Sequence, residues 1–471
     1  MAVADTGVVR MAVLAGHIIH APEKENMKHT RVRFMRPWRP ARTQGIFLEL
    51  LFFNYTSILT RLKFNCGSIL ARLIYDEAIV SMMYIQRDIE EKFLKFAERY
   101  PVVALVGPRQ AGKTTMLKHL MKRYNSSYIL FDDPDARRLF DEDIKKFMVQ
   151  YMEGYDLAVL DEIQYCRDAG SKLKYLADTG HKIWVTSSSE ILLSKDVLSF
   201  LVGRVGILRL YPFSIHEFMR AKGYRTVDEI IYKRIVWEHA LYGGFPQVVL
   251  EDCVEMKKEY LRNLHETMIM RDVARAFSID DIGAVERLSR YIAINSGAIF
   301  SYTNASNAIG ISYQTVRKYL DALVKSQIAV EVPPFFTNRG KEISKQPKVY
   351  FLDTGLRNSV AGFYPVDMNG GIFENYVLSE LVKMGFRPRY WRTKAKAEVD
   401  FVVEKDGNVI PIEVKLRATT EEIERGFRSF IDKYSPESAV VISYAGEKGE
   451  RKIKDTNVVF VDIWGLWSLL T

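Results

Sequence analysis

Two short stretches carry residue types able to handle a nucleoside triphosphate. The first is GPRQAGKTT, made of Gly107, Pro108, Arg109, Gln110, Ala111, Gly112, Lys113, Thr114 and Thr115. Its spacing is G-x-x-x-x-G-K-T. Glycines let the backbone curl so that its N–H groups face the phosphates, and a helix N-terminus stands behind them. Lys113 would reach the β- and γ-phosphates, and the Thr114 hydroxyl would ligate Mg2+. The second stretch is LAVLDEIQ, an apolar run ending in Asp161 and Glu162. Asp161 would hold Mg2+ through its water shell, while Glu162 would orient and deprotonate an attacking water. An acidic pair at a strand end says little alone; at the next strand but one after a phosphate loop it says much more. ATP and Mg2+ are the cofactors expected.

Two further positions fit the same chemistry. Ser187 and Ser188 follow the strand-like KIWVT and could sense a γ-phosphate, although serines there also cap helices. Arg204, in LVGRVGILRL, could stabilise transition-state charge, within the chain or across a subunit interface; its plainer role is a surface ion pair.

A third chemistry-bearing stretch is AEVDFVVEKDGNVIPIEVKLR, Ala397 to Arg417. A two-residue turn at Asp406-Gly407 would set Lys405 opposite Asn408. The register then runs outward through Val403–Ile410, Phe401–Ile412 and Val399–Val414, an apolar face that must be core. On the other face Asp400 would meet Glu413, and Glu398 would meet Lys415. Two carboxylates facing each other across a strand pair repel, whereas a divalent cation would hold them together. Lys415 could then polarise a water, and Glu374, on a helical stretch from Gly370, would add a third acid.

The elements that must position these residues can be read from periodicity. After Pro101, the runs VVALV, SYILF, LAVLD, KIWVT and VGILRL alternate with helical sequence, as buried parallel strands do. The expected fold is α/β: a parallel P-loop sheet over 83–218, a helical lid over 219–283, a winged helix-turn-helix over 284–365 and a second α/β domain over 366–471. In the third of these, Ser312 would cap a helix whose Val316, Leu320 and Leu323 form the apolar face. Gln314, Arg317 and Lys318 would lie outside it as DNA contacts, joined by Arg339, Lys341, Lys345 and Lys348 on a basic β-wing. Helix-turn-helix modules in multidomain ATPases also serve as rigid connectors. No interleaved aromatics suggest stacking on single strands.

GPRQAGKTT, VLDEIQ, LVGR followed by LYPFSIHEF, and GGFP at Gly243–Pro246 together resemble a prokaryotic family of AAA-type P-loop ATPases. Thr186-Ser187-Ser188-Ser189 stands where that family usually has Thr-Gly-Ser-Ser, which bears on the sensor assignment. The resemblance spans about Met83 to the C-terminus. It implies a winged-helix module and a C-terminal domain of the PD-(D/E)XK nuclease-like fold. Asp400, Glu413 and Lys415 match that motif, with Val399 where the naming proline would stand.

Composition sets the bounds. The chain has 471 residues, 48% hydrophobic and 27% charged, which suits several soluble domains. A net charge of +9 leans towards an anionic partner without deciding one. Three scattered cysteines give neither a zinc ribbon nor a disulfide framework, so a cytoplasmic setting is expected. No run approaches a membrane span. Residues 1–82, with Arg31, Arg33, Arg36 and neighbouring bases, read as a disordered tail or an upstream start, and a nucleic-acid-binding arm is the sharper alternative. The functions expected are ATP hydrolysis coupled to the C-terminal half, a nucleotide-switched DNA-binding regulator with little turnover, or an ATP-licensed metal-dependent nuclease. The oligomeric state is not readable.

Overall fold

The computed structural model describes residues 84–188, 200–224, 228–336 and 345–471. The expected basic extension over 1–82, Arg339 and Lys341 of the wing, and Ser189 lie outside the described residues.

Five parallel strands make the first sheet: β1 (Val102–Val106), β2 (Ser126–Leu130), β3 (Leu157–Asp161), β4 (Lys182–Ser187) and β5 (Val205–Arg209), in the order β2-β3-β4-β1-β5. β1 and β3 are buried along their whole length, which is why their sequences are unbroken apolar runs. Helices cover both faces. Glu90–Arg99 and Lys113–Leu120 pack on one, with Phe93, Met116 and Leu117 fully buried. Pro134–Glu142, Ile144–Tyr151 and Ala169–Asp178 cover the other through Phe140, Phe147 and Leu173. This is the α/β P-loop sheet expected from the sequence, with helical and sheet segments following it.

Helix Ile215–Lys222 starts from a capping box of Ser214 and Glu217. Helices Glu229–Tyr242, Pro246–Leu250 and Val254–Thr267 follow, and Val254–Thr267 runs into a π-helical turn over Met268–Ala274. Next come helices Ile282–Ile294, Tyr302–Ile309 and Tyr313–Lys325, then the antiparallel pair β6 (Ala329–Val332) and β7 (Lys348–Phe351). Gly310, at φ +79°, makes the turn before the third of these helices. Ser312 caps that helix by accepting from the Thr315 N–H at 3.1 Å, and Val316, Leu320 and Leu323 are buried as expected.

The last sheet is mixed and has six strands: β8 (Arg389–Arg392), β9 (Glu398–Lys405), β10 (Asn408–Lys415), β11 (Ser438–Ser443), β12 (Gly449–Ile453) and β13 (Thr456–Val461), in the order β12-β13-β11-β10-β9-β8. Helices Gly370–Lys383 and Arg425–Tyr434 pack on it. The hairpin register matches the expected one from Asn408↔Lys405 to Ile412↔Phe401. Beyond that point the ladder yields: the Asp400 carboxylate accepts the Val414 N–H at 2.8 Å.

Candidate functional site

The GPRQAGKTT loop leaves β1 at its C-terminal end and turns into helix Lys113–Leu120. Two glycines are required there. A Cβ on Gly107 would stand 2.1 Å from the Leu210 carbonyl oxygen, and Gly112 sits at φ +96°. The Lys113 ammonium is buried and folded back over the loop, donating to the Gly107 and Pro108 carbonyls at 2.9 and 3.0 Å. Burial pushes its pKa down, against the field of Glu162, Asp272 and Asp161, which favours the charged form.

Thr114 Oγ1 donates to Asp161 Oδ2 at 2.8 Å, bringing together the hydroxyl and the carboxylate that the sequence assigned to Mg2+. Asp161 is buried and also accepts from the Tyr128 hydroxyl at 2.5 Å and from the Thr186 hydroxyl. Glu162 sits in the left-handed region at φ 60°, held by its N–H to Thr186 Oγ1 at 2.9 Å and by the Gln164 amide on its carboxylate. A non-glycine residue in that conformation is uncommon and stores strain, as functional positions often do. Ser188 receives from Gln164 Nε2 and donates to Asp272 Oδ1, both at 3.2 Å.

A cleft of about 520 Å3 opens over this loop. Its lining includes Arg109, Lys113, Thr114 and Glu162 on one side, and Pro246, Gln247 and Leu250 on the other. That volume lies within the range of small-molecule sites. Pro246 belongs to GGFP, so that motif supplies a wall of the cleft. Arg87 ties the loop to the rest, donating to the Ala111 and Tyr211 carbonyls at 2.7 and 2.6 Å and pairing with Glu217 at 2.9 Å.

Sequence reasoning missed several of these partners. Asp272 lies more than 150 positions from the loop in sequence, on the π-helical turn; its Oδ1 meets Arg109 Nε at 3.1 Å, with both side chains largely buried. Burial pushes the Asp272 carboxyl up, opposed by Arg109 and Lys113, and its Oδ2 is buried with no hydrogen-bond partner. No local pattern marks such a residue. Thr186 was legible as part of the strand end, but not as the hydroxyl that serves both acids.

Arg204 is not brought to this site. It precedes β5, and its carbonyl accepts from the Val102 N–H at the start of β1. The phosphate loop follows the other end of that strand, about 17 Å away at the usual rise per residue. Arg204 pairs with Asp178 at 2.7 Å, both partly exposed. Arg204 precedes its strand and the loop follows one, and in a parallel sheet those are opposite edges.

In the C-terminal sheet, Glu413 is buried, with Oε1 on Lys415 Nζ at 2.9 Å and Oε2 buried without a hydrogen-bond partner. Burial and then the neighbouring Asp400 push the Glu413 carboxyl up; burial and then Glu374 do the same for Asp400. Lys415 also reaches Glu424 at 2.5 Å, rather than Glu398. Glu398 instead binds Lys348 at 2.7 Å. Lys348 also meets Glu374 at 3.2 Å, and the Tyr350 hydroxyl reaches the same carboxylate oxygen at 2.5 Å. This corrects the expected wing: Lys348 is buried at 4% exposure and serves an internal ion-pair cluster, not a phosphate. It reads as one more wing lysine only because sequence cannot show burial. Among the described residues, no group of three or more His, Cys, Asp or Glu side chains is arranged to hold a metal ion.

Residues 99–219 match the AAA domain family. The chain carries an AAA-type P-loop ATPase domain. Beyond it, residues 233–367 and 369–464 match two domains of unknown function, DUF8612 and DUF4143. An uncharacterized protein of Mycobacterium tuberculosis is 29% identical over 385 residues, 79% of this chain and 82% of its own. An uncharacterized protein of Methanocaldococcus jannaschii is 26% identical over 429 residues, 84% and 95% of the two chains. Among solved structures, a Walker-type ATPase of Pyrococcus abyssi aligns with 17% identity over 59% of this chain and 96% of its own, at a TM-score of 0.40. Among the described residues of the ATPase domain and of the rest, no helix is long and apolar enough to cross a membrane.

Proposed function

We propose that the protein binds Mg-ATP at the Lys113 loop, hydrolyses it, and uses the nucleotide state to control its C-terminal half. One observation carries the reading: Thr114 Oγ1 and Asp161 Oδ2 stand 2.8 Å apart beside a buried Lys113, with Glu162 next in the chain. Hydroxyl and carboxylate are the hard oxygen donors Mg2+ takes at phosphate loops, and the ion would neutralise charge on the β- and γ-phosphates. Lys113 exchanges the Gly107 and Pro108 carbonyls for phosphate oxygens. Glu162, steadied by Gln164, takes the proton of the attacking water.

Coupling runs through Asp272. Its carboxylate holds Arg109 of the loop, and its backbone carbonyl accepts from Ser326 Oγ at 3.1 Å, one residue past helix Tyr313–Lys325. A phosphate that draws Arg109 away changes the contacts of a π-helical turn directly beneath the helix bearing Gln314, Arg317 and Lys318. π-Turns are rare and concentrate at functional positions. Nucleic acid is the output partner we assign to that helix.

Turnover measured with a phosphate-release assay tests the reading. Lys113→Ala should lose ATP binding, and Glu162→Gln should keep binding while turnover falls by about 10^2 to 10^4. Full turnover in either variant sinks the assignment.

A second reading, metal-dependent cleavage of nucleic acid, is favoured by the unpartnered buried Oε2 of Glu413 facing Asp400. The Lys348 cluster around Glu374 weighs against it. Cutting of labelled DNA with Mg2+ that disappears in Asp400→Ala supports this reading, and equal cutting by the variant rejects it.

A further inference from the structure

The exposed side of helix Tyr313–Lys325 borders a cleft. Gln314, Arg317 and Lys318 line this cleft, of about 1060 Å3, together with Arg209 and Tyr211, at and just past the end of β5, and Val382. Lys345 also lines it. Arg317 and Lys318 are exposed and make no ion pair among the described residues. The two acids in the cleft are engaged: Asp321 with Lys325 at 2.6 Å, and Glu331 with the Tyr302 hydroxyl at 3.3 Å. The four cations of the lining, Arg209, Arg317, Lys318 and Lys345, outnumber these two acids. Tyr302 and Tyr313 come together within it, ring centroids 5.4 Å apart, and Tyr313 is 47% exposed. A second cleft of about 760 Å3 shares Arg209, Tyr211 and Val382, and adds Lys92 and Arg387 towards the C-terminal sheet.

We infer that this continuous cleft takes a single strand of nucleic acid, with tyrosine faces for bases and the arginines and lysines for phosphates. The inference deepens the nucleic-acid reading above by naming the form of the partner. To read a duplex, a helix must enter a major groove about 12 Å wide and 8.5 Å deep with its flanks clear. Here Arg209 and Tyr211 share the cleft with the basic residues of the helix, so the flank of the helix on that side is not clear. A single strand needs only a charged groove and exposed aromatic faces, which stack any base. Stacking was not legible beforehand, because Tyr211, Tyr302 and Tyr313 are scattered along the chain.

Fluorescence anisotropy on the full chain tests this, with labelled oligothymidylate and oligouridylate of roughly 16 nucleotides and the matching duplex. The single strands should bind at least about tenfold tighter than the duplex; the DNA and RNA arms decide which sugar is preferred. The pair Arg317→Glu and Lys318→Glu should remove most binding and shrink the salt slope by roughly 1.4, two phosphate contacts at about 0.7 each. Tyr313→Ala should weaken binding about tenfold. Melting temperatures should not change, since all three residues are exposed. Tighter binding of the duplex overturns the cleft proposal while the nucleic-acid reading survives. Single-strand binding untouched by the charge reversals also overturns it. No binding of either form rejects both, and ATP turnover on the same sample shows separately whether the ATPase reading stands.

Discussion

Asp272→Asn should make the protein bind ATP more tightly, because it removes the anion that competes with phosphate for Arg109. At 3.1 Å, the Coulomb attraction of a unit pair in an effective dielectric of about 20 is roughly 5 kcal/mol. Most of that is offset by desolvation, as the upward shift of the Asp272 carboxyl shows. What remains is the net value of a charge-assisted hydrogen bond, about 1.5–3 kcal/mol, against about 1 kcal/mol for the neutral bond that an Asn oxygen would make. Releasing Arg109 thus becomes easier by about 0.5–2 kcal/mol, and the Kd should fall about two- to thirtyfold. The fold should tolerate the change. The Asn oxygen can still accept from Arg109 and Ser188, and its amide nitrogen takes the place of Oδ2, which has no partner to lose. Titration with a fluorescent ATP analogue, alongside a thermal melt, measures both. An unaltered melt with a Kd unchanged within about twofold would mean that Arg109 keeps Asp272 with nucleotide bound, and the proposed coupling would fail.

The remaining prediction concerns acid. Burial pushes His239 well below the usual imidazole range and His265 down to about 4. A depressed folded pKa gives stability that is complete above the unfolded value near 6.5 and is lost as pH falls towards the folded one. His265 alone would contribute as much as about 3 kcal/mol between these limits, less for its partial exposure. Thermal melts between pH 7 and 4 should fall, and His265→Gln should flatten part of that fall. An acid limb unchanged in the variant would remove His265 from the account.

The nucleotide loop was legible because its chemistry is local. Glycine spacing, a lysine and a hydroxyl lie within nine consecutive residues, and the strand before and helix after them fix their direction. Asp161 and Glu162 were legible for a similar reason, since a buried strand ending in acids puts them at the edge of the sheet. The first half of the hairpin register followed from its turn and from an alternation that must bury one face. Arg204 lies at the opposite sheet edge from the phosphate loop of its own chain, because it precedes its strand whereas the loop follows one.

By itself, then, the sequence determined the α/β sheet, the phosphate loop and its two acids, all set by short-range periodicity and backbone conformation. Only the tertiary structure decided that Asp272 holds Arg109, that Lys348 is buried among Glu374 and Glu398, and that Arg317 and Lys318 line a cleft with Arg209 and Tyr211. Each depends on elements distant in the chain meeting through packed apolar faces. The free energy of a charge depends on what it is buried against, and no local pattern records that.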